Sequence, residues 1–225
     1  VTQASNLELL GTTITDNTAS YGAGLSAYYG ATLTAENSTI SGNEASVAGG
    51  GLTLRYSGVS ADLNHVTIAD NVAPTGAGIE TGASLVTLTN TLVADNLTPV
   101  DAPSDISGSV VASSSNNLVG DSTGVSGLTV VNGNILDVNA NLVDLADNGG
   151  PTLTHALLSI SSAVDNAAAG LALDQRGVAR PFGSAHDIGA FEGAVSATLP
   201  TELLVTNLTD IADGNYLDLS LREAI

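Results

Sequence analysis

Thr13-Ile14-Thr15-Asp16-Asn17 is followed by Gly22-Ala23-Gly24-Leu25. The pair of phrases returns as Thr39-Ile40-Ser41-Gly42-Asn43 with Gly49-Gly50-Gly51-Leu52, and again as Thr67-Ile68-Ala69-Asp70-Asn71 with Gly76-Ala77-Gly78-Ile79. Gly24, Gly51 and Gly78 step by 27 residues, and Asn17, Asn43, Asn71 and Asn96 by 26, 28 and 25. A near-constant period in this range signals stacked repeats in place of one globular centre.

Each period carries short apolar-polar alternations such as Ala31-Thr32-Leu33-Thr34 and Leu85-Val86-Thr87-Leu88-Thr89, and almost nothing of helical period. Three strands of about five residues with their turns use roughly 25 residues, one coil of a solenoid whose coils lie about 4.8 Å apart. The expected fold is therefore all-β, a parallel β-helix with coils of about 25–28 residues. Parallel crossovers set its hand as right-handed. Gly24, Gly51, Gly78 and the four asparagines are read as turn positions, since these residue types tolerate positive φ. The asparagines are further expected to bond to one another from coil to coil as an amide ladder. A ligand site is the alternative reading for the same four.

The formal charge is −19, lysine is absent, and the basic residues are Arg55, Arg176, Arg180 and Arg222. Such a surface repels phosphate backbones and anionic lipid heads, so nucleic acid is excluded as a partner. No run approaches the roughly 20 apolar residues of a membrane helix, so no membrane insertion is expected, and with no signal-like segment read from Val1 onward the export signals are expected elsewhere in a longer precursor. Absence of cysteine is compatible with an oxidising exterior. Together with the acidic, Thr/Ser/Asn/Gly-rich composition it points to an extracellular or cell-surface bacterial setting. Aromatic residues are 3% of the chain, with no tryptophan, which argues against flat platforms for sugars or bases. Tyr29 and Tyr56 each follow their coil's glycine by five residues and are expected to stack, as a structural ladder or as a contact patch.

Residues 1–97 read as regular coils and 98–144 as irregular ones, with turns at Pro99 and Pro103. From Leu145 the pattern changes to Leu145-Ala146-Asp147-Asn148-Gly149-Gly150-Pro151-Thr152-Leu153-Thr154-His155, then Ala163-Val164-Asp165-Asn166, Asp174-Gln175-Arg176-Gly177, Arg180 and Asp187-Ile188-Gly189-Ala190-Phe191-Glu192. With Asn116-Asn117-Leu118-Val119-Gly120, these phrases resemble the closing region of choice-of-anchor Q type β-helix domains of large bacterial surface proteins. The Gly-x-Gly coils resemble polymorphic outer-membrane-protein repeats. The C-terminal Leu219-Ser220-Leu221-Arg222-Glu223-Ala224-Ile225 resembles the CSLREA segment that opens such helices, with Leu219 in place of the cysteine. The resemblance implies architecture and exterior location, not catalysis.

An opening phrase that follows a closing one is explained by a repeating array. Residues 145–192 then close one β-helix, 193–200 form a joint, and 201–225 cap the next unit, with Leu219, Leu221 and Ile225 at the junction. A head-to-tail contact that does not close makes a filament.

Asp174, Arg176, Arg180, Asp187, Glu192 and Arg222 are expected to form structural ion pairs, because arginine pairs carboxylates with two parallel hydrogen bonds. The alternative makes these acids and arginines the machinery of a glycosidase or polysaccharide lyase. Arg55 is read as an exposed solenoid residue. His65, His155 and His186 show no metal-ligand spacing. No cofactor is required, although Asp210, Asp213 and Asp218 could supply oxygen ligands to calcium. Thr32/Thr34, Thr87/Thr89 and Thr152/Thr154 are plain strand formers whose separations need not align.

The expected function is a structural extracellular fibre subunit, or tandem-repeat unit, that assembles with copies of itself head to tail. A monomeric adhesin that binds a cell-surface or matrix ligand is one alternative, and a polysaccharide-active β-helix enzyme a second.

Overall fold

The computed structural model describes residues 5–56 and 58–196. The coils stack as a parallel β-solenoid with three principal sheets. The first sheet orders Asn6–Leu10, Thr32–Glu36, Ser60–Asn64 and Leu85–Thr89. The second runs Thr13–Thr15, Thr39–Ser41, Thr67–Ala69, Leu92–Ala94, Leu118–Val119 and Ile135–Leu136. Leu25–Tyr28, Leu52–Arg55, Ile79–Glu80, Ile106–Ser109 and Val125–Ser126 make the third. Every strand pair in these sheets is parallel, as a coil repeating in one direction requires.

Register puts like residues over like. Ile14, Ile40, Ile68, Val93 and Val119 form one inward row of the second sheet, and Leu25, Leu52, Ile79 and Ile106 one of the third. Ile40, Ile68, Leu52 and Ile79 are wholly buried. Each such side chain contributes on the order of 1.5–3 kcal/mol. In the first sheet the row of Leu7, Leu33 and Ala61 loses its cover at the first coil: Leu7 is 42% exposed, whereas Leu33 and Ala61 are 1% and 3%.

The turns correct the reading of the glycines. Left-handed backbone is supplied by Gly22, Gly49 and Gly76, and by Asp16, Gly42, Asp70 and Asp95, the residues that precede the asparagines. Gly24, Gly51 and Gly78 have ordinary φ. They are glycine because a Cβ there would lie 2.5, 2.6 and 2.5 Å from the carbonyl oxygens of Gly51, Gly78 and Asp105 in the following coil. The asparagines likewise serve through their amides and not through φ.

Solenoid pairing continues through the irregular region as far as Leu136. The closing phrases then do something that the period does not announce. The segment after it, to Val195, lies against the outward face of the second sheet as a strap. It reaches Gly11 and Thr13 of the first coil through Thr152 and Leu153, and Asn90 of a later coil through Ala168 and Gly189. Leu92, Ala94 and Leu118, which face outward, pack with Ala156, Leu157, Ala163, Ile188 and Phe191 into a second apolar core. Within the stretch read as a joint, 193–200, Ala194–Val195 pairs with Leu157–Leu158 and so belongs to the strap.

Candidate functional site

Three features gather the chain's chemistry: the asparagine ladder, the strap with its ionic network, and a tyrosine cluster on the third sheet. In the ladder each rung donates toward the next coil. Asn17 Nδ2 donates to Asn43 Oδ1 at 2.9 Å, Asn43 to Asn71 at 3.0 Å and Asn71 to Asn96 at 2.8 Å. Each backbone N–H joins the same acceptor. From Asn43 onward each Nδ2 also donates to two carbonyls, so the buried amides are saturated. Asp105 ends the series and stands 27 residues after Gly78, where the glycine phrase would recur. A second corner repeats the device with Ser38, Thr91, Asn117 and Asn134. Its mixed residue types concealed it in the sequence.

The strap holds the carboxylates expected to pair with arginine. Arg180 and Glu192, both fully buried at the side chain, meet at 2.6 Å. Arg180 also donates to the carbonyls of Asp187 and Gly189, and Glu192 accepts from the backbone of Phe182 and Asp187. Asp174 accepts from Arg176 at 2.9 and 2.7 Å and from the N–H groups of Arg176, Val178 and Glu192. Arg176 in turn lies 3.5 Å over the Phe191 ring. Among the described residues Asp187 makes no arginine side-chain pair; its oxygens accept from the backbone of Asp165 and Gly193. Burial pushes Asp187 up to about 6. Carboxylates whose lone pairs are filled by fixed protein donors hold a loop in place and are poor candidates for reaching a substrate.

Gln175 is the strap's most specific contact. Its Oε1 accepts from Thr39 at 2.7 Å, and its Nε2 donates to Thr13, Thr152 and the Leu153 carbonyl. Thr67 receives the Ala190 N–H. The outward threonines of the second sheet thus serve the polar half of the strap, and its leucines the apolar half.

The histidines are not scattered. His155 Nε2 lies 2.8 Å from Ser41 Oγ and 3.8 Å from Asp70, and its Nδ1 is bonded to the Val143 carbonyl. A hydrolytic triad needs its carboxylate on Nδ1, where it orients the ring. Here that position is backbone, and Ser41 is buried. His65 and His186 bring their rings to 6.0 Å between coil and strap. Burial, with Arg180 and His186 nearby, pushes His65 down to about 3. Among the described residues no three His, Cys, Asp or Glu side chains are placed to hold a metal ion. Asp210, Asp213, Asp218, Leu219, Leu221, Arg222 and Ile225 lie outside the described residues.

The scarce aromatics are concentrated. Tyr29 and Tyr56 stack at 4.4 Å with planes 3° apart, and Tyr28 lies 6.0 Å from Tyr56. Arg55 sits over Tyr21 at 4.5 Å and near Tyr56 at 5.9 Å. Composition alone had argued against an aromatic platform, because an average over the chain hides a cluster. The equal spacing of Tyr29 and Tyr56 from Gly24 and Gly51 was the available signal. Thr34 and Thr87 also share a row, with Asp62 between them, because unequal coils bring them into register.

Comparison with protein-family models, curated proteins and solved structures finds no match.

Proposed function

We propose that this chain is a structural unit of an extracellular bacterial fibre and stacks head to tail on copies of itself. The supporting observation is the first coil. Asn6–Leu10, Thr13–Thr15 and Leu25–Tyr28 are the outer strands of the three sheets, with no further strand beyond them among the described residues. A cavity of about 290 Å³ there is lined by Leu7, Leu25, Ala27 and Leu33. Asn17 Oδ1 meets no donor among the described residues, whereas each later rung's Oδ1 accepts two. Another coil would continue backbone pairing, apolar row and amide ladder together. The strong negative charge keeps such fibres laterally apart.

The sealed carboxylates of the strap favour this non-catalytic reading over a polysaccharide-active enzyme. Electron microscopy of the purified chain, with and without calcium, tests it. Filaments with an axial repeat of one unit are expected, and Leu7→Lys should abolish them without changing circular dichroism. Dispersed monomers under every condition would reject assembly of separate subunits and leave a tandem array joined by peptide bonds or the monomeric adhesin, the latter favoured by the tyrosine cluster.

A further inference from the structure

The geometry points to a saccharide-binding site on the third sheet, its following turn and the end of the preceding strand, built from Tyr21, Tyr28, Tyr29, Arg55, Tyr56 and Glu80 and accepting a neutral sugar. Four of the chain's five tyrosines meet here. Tyr29 and Tyr56 are about half exposed, at 53% and 47%. Both have positive φ, 48° and 73°, at a turn where glycine would be free of strain. Bulky side chains held in a sparsely populated conformation, side by side in successive coils, are a feature that coil stacking does not need.

The polar groups complete the site. Arg176 and Arg180 are committed to strap carboxylates. Arg55 belongs to no ion pair within 4 Å among the described residues and is held by tyrosine faces. Glu80 is close enough to Arg55 for their charges to interact, and burial raises its carboxyl above the usual range. Its Oε2 is buried and meets no donor among the described residues. A donor from Arg55, an acceptor on Glu80 and the half-exposed tyrosine rings beside Arg55 match a pyranose, which offers hydroxyls at its rim and C–H groups on its face. Polyanions are opposed by the chain's charge of −19, and cations by Arg55.

Tyrosine fluorescence reads this site directly, since tryptophan is absent. The whole chain is titrated with cellotetraose, chitotetraose and mannotetraose, and with tetragalacturonate as the anionic control. At least one neutral probe should give a saturable change with Kd on the order of 1 mM. Tyr56→Gly, which removes the ring and suits the positive φ, should weaken it at least tenfold. Glu80→Gln should weaken it several-fold, and Leu85→Ser on the first sheet should leave it unchanged. Failure of all three neutral probes overturns the proposal, as does binding of tetragalacturonate alone or equal binding by Tyr56→Gly. Filament formation is scored separately, so either result leaves the assembly test standing.

Discussion

Asp105 Oδ1 accepts both the backbone N–H of Asn96, at 3.1 Å, and its side-chain amide, at 2.8 Å. Its Oδ2 accepts the N–H of Asp121 at 2.8 Å. A ladder of amides that all donate one way must end on a group that only accepts. A carboxylate meets that need on both oxygens, at the cost of a buried charge.

That burial pushes Asp105 up to about 6. Its contribution to stability is full below 3.8 and lost as pH rises through 6, and Asp187 behaves alike. His65 opposes them: held down to about 3, it contributes above 6.5 and loses that contribution as pH falls toward 3. Two carboxyls against one imidazole leave the protein more stable at pH 5 than at pH 7 by on the order of 1 kcal/mol. Thermal unfolding at both values checks this. Asp105→Asn should remove the gain, and His65→Asn should enlarge it.

Asn71→Ala removes an amide that donates to Ile40, Ala69 and Asn96 and accepts twice from Asn43. A loss of about 3 kcal/mol or more is expected in chemical denaturation, because buried partners are left unpaired. Asn17→Ala, at the solvated end, should cost under about 1 kcal/mol.

Gly51→Ala drives a Cβ into the carbonyl of Gly78 and should cost at least ~2 kcal/mol. Gly30→Ala meets nothing within 4 Å and bears only its positive φ, for about 1 kcal/mol. Equal losses would refute the close-approach explanation of the repeated glycine.

Arg180→Met leaves Glu192 charged, buried and without its cation. A loss of about 3–5 kcal/mol is expected. Hydrogen exchange should rise across the strap more than across Thr39–Ser41 and Thr67–Ala69, whose coils keep their pairing.

The period made the solenoid and the ladder legible, because coils that stack must repeat what they stack. It misled on Gly24, Gly51 and Gly78, since a tight approach and a left-handed turn both select glycine. Asp105 was within reach of the 27-residue step, and Gln175 was not. Its partners Thr13 and Thr39 lie 162 and 136 residues away and meet it only because the strap doubles back. Tyr21 and Arg55 were hidden for a similar reason: their contact joins different coils, whereas the sequence aligns residues by position within a coil.

The strap is also a ruler. Its polar marks fall on Thr13, Thr39 and Thr67 and its apolar ones on Leu92 and Leu118, one mark to each of the first five coils of the second sheet. Repeating solenoids lengthen by duplicating coils, and the amide ladder alone would accept any number. An inserted coil would move every mark beyond it by about 4.8 Å and set threonine, or the inserted residue, against the strap's apolar side chains. A chain that keeps this strap is therefore held to this coil count, which the amide ladder alone would not fix.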